Sequence, residues 1–155
     1  VVLRPCRAED SRFLLRLYGQ TREAELAAMN WPEEMRKSFC LQQFTAQHTD
    51  WTTRLAGAHF LLLVSRGQPV GRLYVHVGEE DIRLIEVAVL AARQGQGIGS
   101  AILQALQVLA AERSVPLRLA VLHRNPRAQA LYQRMGFRPE GQTADRLQMV
   151  WQPQG

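Results

Sequence analysis

The sequence predicts a mixed α/β fold: one central sheet with helices on its faces. Three observations carry this. Apolar residues recur at helical spacing in Phe13, Leu14, Leu17 and Tyr18, and again in Ile98, Ile102, Ala105, Leu106 and Leu109. Gly71, Leu73, Val75 and Val77 alternate with Arg72, Tyr74 and His76, the period of a half-buried strand. The elements follow in the order strand, helices, three strands, helix, strand, helix, strands, which implies a mixed sheet with helices on its faces.

Taken in order, Val1 to Arg4 reads as a first strand ended by Pro5. Ala8 to Arg22 reads as a helix, and Pro32 is placed to open a second over Glu33 to Trp51. His59 to Ser65 is a short apolar strand, and Gly67-Gln68 suits a two-residue hairpin turn. Ile82 to Leu90 is a longer strand whose apolar phase shifts between Leu84 and Ile85, the pattern of a bulge or of burial on both faces. A helix is expected from Gly97 to Arg113, and Pro116 opens a strand over Leu117 to Leu122. Asn125-Pro126 starts the next helix, with Asn as cap and Pro at the first helical position, and Gly136 stops it. Phe137 to Pro139 and Asp145 to Trp151 read as closing strands.

The chain has 155 residues, enough for one domain with a full core and no staples. Net charge is +5, and arginine supplies nearly all of the excess, because Lys37 is the single lysine. Basicity suits an anionic ligand. The arginines are scattered, without the basic block or aromatic stacking motif of a nucleic-acid binder, so no nucleic-acid partner is expected. No apolar run reaches the roughly 20 residues of a membrane span, and no signal-peptide pattern appears. Cys6 and Cys40 lack metal-like spacing and a neighbouring His, so no metal is expected and both are read as reduced thiols of a cytoplasmic protein.

The most telling segment joins the Ile82 to Leu90 strand to the following helix: Gln94-Gly95-Gln96-Gly97-Ile98-Gly99-Ser100. Glycines at alternate positions clear side chains from above the backbone, so that turn and helix N–H groups converge on one spot. Free donors and the helix dipole make that spot a phosphate or pyrophosphate site. A nucleotide-triphosphate loop would need Lys and then Ser/Thr after the last glycine, and here Ser100 and Ala101 follow. A dinucleotide G-x-G-x-x-G also fails, since the sixth position is Ser100 or Ile102 depending on the start.

Gln94 to Gly99 does fit Q/R-x-x-G-x-G/A. Downstream, Asn125-Pro126-Arg127-Ala128-Gln129-Ala130-Leu131-Tyr132-Gln133-Arg134-Met135-Gly136-Phe137 fits N-x-x-A-x-x-L-Y-x-x-x-G-F. With the Val87-Ala88-Val89 strand before the turn, the sequence resembles the GCN5-related N-acetyltransferases (GNAT) over Gly57 to Trp151. The resemblance implies a mostly antiparallel sheet of six to seven strands, about four helices, and a splay between strands four and five. It implies a single domain, with residues 1–56 forming the first strand and acceptor-side helices and residues 57–151 the cofactor-binding core.

It further implies an acetyltransferase that uses acetyl-coenzyme A as cosubstrate and a primary amine of a small molecule, peptide or protein as acceptor, working as a monomer or homodimer. The pantetheine arm would pair with Val87, Ala88 and Val89, satisfying strand amides otherwise left unpaired. The pyrophosphate would sit on the amides of Gln94, Gly95, Gln96, Gly97, Ile98, Gly99 and Ser100, with Arg93 near the phosphates and Asn125 against the pantetheine. Tyr132 occupies the position of the family's general acid; a core tyrosine is the alternative. Some relatives carry a glutamate five residues before the motif asparagine, where this chain has Ala120. Glu86 is then the best carboxylate for a base or water anchor, against a structural glutamate paired to an arginine such as Arg83 or Arg118. His76, His123 and Tyr74 are weaker candidates for the same role.

Trp31, Phe39, Phe44, His48, Asp50 and Trp51 are the material for an acceptor pocket or for packing the N-terminal helices, and Glu79, Glu80 and Asp81 form an acidic turn. Two other functions remain open at this point: a coenzyme A-binding module without turnover, and a basic interaction protein.

Overall fold

The computed structural model describes residues 2–23, 30–54 and 58–153, with the side chains of residues 48–54 outside the description. Strand β1 (Val2–Pro5) leads through a 3₁₀ turn (Ala8–Asp10) into α1 (Ser11–Thr21), and α2 spans Glu33–Arg54. Strands β2 (Ala58–Ser65), β3 (Gln68–Val77) and β4 (Ile82–Val89) follow, then α3 (Ile98–Arg113), β5 (Leu117–Leu122), α4 (Pro126–Arg134), β6 (Arg138–Gln142) and β7 (Arg146–Trp151). The seven strands form one sheet in the order β1-β2-β3-β4-β5-β7-β6. Every pairing is antiparallel except β4 with β5.

Two apolar layers flank the sheet. On one face Leu73, Val75, Ile82 and Leu84 pack with Ile98, Ile102, Leu103 and Leu106 of α3. On the other, Leu62 packs with Leu14 and Tyr18 of α1 and Phe44 of α2. The α3 stripe differs from the expected one: Leu103 is buried and Ala105 exposed. The helix is turned so that its longest apolar side chains enter the core.

The β2–β3 turn is Arg66-Gly67, one residue earlier than expected, because Ser65 already pairs with Gln68 and both turn residues adopt positive φ (53° and 76°). That is the backbone a two-residue hairpin demands. The expected half-buried strand is a further correction. Arg72 and Tyr74 are both buried, since α1 covers the face they share.

Three features set up the centre of the molecule. The β3–β4 register slips where Tyr74 faces Glu86 and Val75 faces Leu84, so Ile85 is the extra residue of a bulge, at the position where the apolar phase breaks. Gly71 sits where a Cβ would collide with the Ala88 carbonyl oxygen, so only glycine lets β3 approach β4 this closely. Finally, β4 and β5 are paired only through Ile82 with Leu117, Arg83 with Arg118 and Leu84 with Leu119. Past Leu84 the two strands part.

Candidate active site

The parted strands leave one edge of β4 open. The Leu90 N–H donates to the Val70 carbonyl at 2.9 Å. Antiparallel alternation then turns the polar backbone groups of Ala88 and Glu86 toward β3 and those of Val87 and Val89 toward the opening. The Gln94 side chain bears this out by donating from Nε2 to the Val89 carbonyl at 3.1 Å.

The glycine turn lies at the foot of that edge. Gly95 and Gly97 have φ of 77° and 80°, the left-handed backbone that other residues adopt only with strain. Gly97 precedes α3 as its cap residue. A Cβ built on Gly95, Gly97 or Gly99 meets no heavy atom within 4 Å. The chain's own packing therefore does not require Gly99 to be bare. Among the described hydrogen bonds none uses the N–H of Gly95, Gln96, Gly97, Ile98, Gly99 or Ser100. Six unused donors around clear space at a helix N-terminus fit a diphosphate. An amide-bearing arm fits the open β4 edge. Arg93 is committed beside this cradle, with Nε donating to Gln96 Oε1 at 2.9 Å and Nη2 to Ser65 Oγ at 3.3 Å. Its charge stands next to the turn, but its bonds hold the loop.

Helix α4 is fastened to the end of β5. Asn125 caps it by accepting from the Ala128 N–H at 3.2 Å, and Gln129 Nε2 donates to the carbonyls of Leu122 and His123, each at 3.0 Å. Gln107 of α3 ties the far end by donating to the Met135 carbonyl at 2.8 Å. Tyr132 is thereby held, half-buried, against the α3-side core, with its ring 5.8 Å from Phe137. Burial pushes its phenol up, so the hydroxyl keeps its proton at neutral pH. Val87 and Val89 pack against that same core.

Glu86 points to the other face. The arginine partner is Arg72, not Arg83 or Arg118: Arg72 Nη2 stands 2.5 Å from Glu86 Oε2 as a charge contact without hydrogen-bond alignment. Arg83 and Arg118 are instead engaged with Asp81, at 3.5 and 3.2 Å, and Arg118 also with Glu140. The Glu86 side chain is 24% exposed while Arg72 is fully buried. Tyr74 is buried beside them, and burial first of all pushes its phenol to about 12.

Other candidates are used elsewhere. His123 Nε2 contacts the Thr143 carbonyl at 3.0 Å, fixing the β6–β7 turn. The His76 ring packs against Gly78, 3.3 Å from where a Cβ would stand. Trp31 and Phe39 stack edge-on at 5.4 Å, and Phe44 belongs to the core under α1. The side chains of His48, Asp50 and Trp51 lie outside the described residues. A groove of about 830 Å³ runs between α1 and α2, lined by Arg12, Arg16 and Arg36 among others, and contains neither Glu86 nor Tyr132. Cys6 and Cys40 are free, and burial pushes the Cys6 thiol up to about 11, which disarms it as a nucleophile at neutral pH. Among the described residues no His/Cys/Asp/Glu cluster could hold a metal, and no helix is long and apolar enough to cross a membrane.

Known proteins share this architecture. The PaiA N-acetyltransferase of Thermoplasma acidophilum, solved in complex with coenzyme A, superimposes with a TM-score of 0.72 at 15% identity, covering 97% of this chain and 98% of that one. An acetyltransferase from Thermus thermophilus gives 0.69 at 22% identity, with 98% and 97% covered. The ribosomal-protein-S18-alanine N-acetyltransferase of Escherichia coli gives 0.65 at 20%, with 97% and 92% covered. No curated protein matches the sequence. The acetyltransferase (GNAT) domain profile matches residues 56–139, more than half the chain and the stretch holding the bulged strand, the glycine cradle and the Asn125–Phe137 run, so the protein belongs to the GNAT acetyltransferases.

Proposed function

We propose that this protein transfers an acetyl group from acetyl-coenzyme A to a primary amine of a small molecule, peptide or protein, by direct attack of the amine on the thioester. The observation that carries this is the continuity of the open β4 edge, from Glu86 to Val89, with the cradle of unused N–H groups from Gly95 to Ser100. The cosubstrate supplies an acyl group activated as a thioester. The chain supplies position, hydrogen bonds and proton traffic.

The Gln94 N–H, expected in the cradle, is instead spent on the Ala91 carbonyl at 3.3 Å, and the Ala88 backbone groups, expected to pair with the arm, face β3. On this reading the N–H groups of Gly95 to Ser100 hold the diphosphate, and the outward backbone groups of Val87 and Val89 pair with the amide arm, with Asn125 alongside. The Val87 N–H, turned into the opening, donates to the acyl oxygen, where negative charge grows during attack. Val87 and Tyr132 belong to the α3 face and Glu86 to the α1 face, because neighbouring strand residues point oppositely. The two proton-handling groups thus flank the gap from opposite sides. The amine approaches from the Glu86 side and loses its proton there, directly or through water; an alkylammonium with pKa of about 10 must do so before it can attack. Tyr132, protonated at neutral pH, gives its proton to the departing sulfur, and the second proton that the nitrogen sheds as the amide forms restores the phenol.

Gly99→Ala tests the cradle cleanly. The new methyl meets nothing in the protein and favours the helix by up to about 1 kcal/mol, so the melting temperature holds or rises. In the cradle the same methyl displaces the ligand, and calorimetry should show coenzyme A affinity lowered about tenfold or more, near 1.4 kcal/mol. Equal affinity for the two proteins, or none for wild type, overturns the assignment. Thiol release with an amine panel tests turnover; tight binding without release identifies a coenzyme A-binding module instead.

A further inference from the structure

Arg72 is hard to explain as a structural residue. It is fully buried in β3 between the rings of Tyr74 and Tyr18, its guanidinium carbon 5.1 and 5.9 Å from their centroids. Its Nε and Nη1 have no hydrogen-bond acceptor among the described residues, and its single charge contact there is Glu86 Oε2. A buried guanidinium with so few aligned acceptors is costly, and the polar groups set against it are the Tyr74 hydroxyl and Glu86 Oε2. The sheet nevertheless makes room for it: the residue opposite on β4 is the small Ala88, and Glu86 is two pairs further along, opposite Tyr74 and on the same face. The tyrosine rings hold the guanidinium where its Nη2 meets one carboxylate oxygen.

The contact has a direction. Glu86 Oε2 is buried against Arg72, yet the Glu86 side chain as a whole is 24% exposed. The arginine meets the inner oxygen, and the side chain keeps part of its surface open, one residue from Val87 along the strand. We propose that Arg72 is a positioning residue for acetyl transfer: by anchoring Glu86 through Oε2, it aims the other carboxylate oxygen at the acceptor amine or its water. This rests on the reading of Glu86 as the group that relieves the amine of its proton. Arg72 itself touches neither substrate.

The experiment is a double-variant cycle of wild type, Arg72→Lys, Glu86→Gln and the pair, run with an amine the wild type acetylates. It follows kcat, acceptor KM, coenzyme A affinity by calorimetry and thermal unfolding. Lysine keeps the charge but presents a mobile point instead of a planar fork. Arg72→Lys should lower kcat about tenfold, a size expected for misaligned proton transfer, with KM and coenzyme A affinity within about twofold. In the Glu86→Gln background the same change should have no further effect. Unchanged kcat in Arg72→Lys, equal losses in both backgrounds, or coenzyme A affinity falling in step with kcat would each overturn the inference while leaving Glu86 in place. Wild-type turnover in Glu86→Gln alone would instead remove Glu86 from the reaction and the role of Arg72 with it. If the lysine variant does not fold, the same cycle with Arg72→Gln reads the same coupling.

Discussion

Tyr132 and Asp10 show how a single side chain acquires a job from its surroundings. Tyr132 has an apolar core behind it, and burial holds its proton on. Removing the hydroxyl leaves the ring packing intact, so Tyr132→Phe should cut kcat roughly 10²-fold with coenzyme A affinity unchanged, measured by thiol release and calorimetry. Asp10 serves stability. Arg4 donates to both its oxygens, at 2.9 and 2.8 Å, and the Arg7 N–H adds a third bond at 2.8 Å. The Arg4 hydrogen bonds, first among the causes, draw its carboxyl below the usual range. A depressed carboxyl stabilises the fold above its unfolded pKa of about 3.9 and loses that contribution as pH falls through the lower folded value. Asp10→Asn should therefore lower the melting temperature at pH 7 and narrow its gap from wild type in acid, followed by circular dichroism. Neither the Arg4–Asp10 fork nor the Arg72–Glu86 contact was legible in the sequence. Arg72 reads as the polar phase of an alternating strand, and only the packing of α1 over that face turns it into a buried partner.

At the scale of elements, local chemistry carried far. The phase break at Ile85 was visible as a bulge or as two-sided burial, between which the register decides, the α4 cap was visible as Asn125-Pro126, and the left-handed turn before α3 as alternating glycines. The misses follow from effects beyond sequence neighbours. The β2–β3 turn shifted because Arg66 accepts a left-handed backbone when the strand register asks for it. The helix expected over Ala8 to Arg22 begins as a 3₁₀ turn because Asp10 binds back to the Arg7 N–H. The β3–β4 ladder is the element with least tolerance. Gly71→Ala would push a methyl into the Ala88 carbonyl and spread the two strands, at about 1–3 kcal/mol. Thermal unfolding should fall accordingly, and coenzyme A affinity with it, because the same carbonyl belongs to the strand proposed to pair with the ligand arm.

Across the whole molecule, the order of elements was enough to predict a mixed sheet, and the two motifs were enough to predict the GNAT family. The placement of Tyr132 and Glu86 on opposite faces was not legible, because it depends on how one bulge resets the alternation along β4. Ligand linkage supplies the prediction at this scale. Coenzyme A at 100 times its dissociation constant should add about 2.7 kcal/mol of stability and raise the melting temperature by about 5–10 °C. The three-residue seam between β4 and β5 has a last consequence. Four strands lie on one side of it and three on the other, stitched in the sheet, among the described residues, by those pairs and by Arg118 reaching to Asp81. A guest that laces the unsewn length turns two half-sheets into one. On the proposed seat of the cosubstrate, amide hydrogen exchange along residues 85–89 and 120–122 should slow when it is bound and quicken when it leaves.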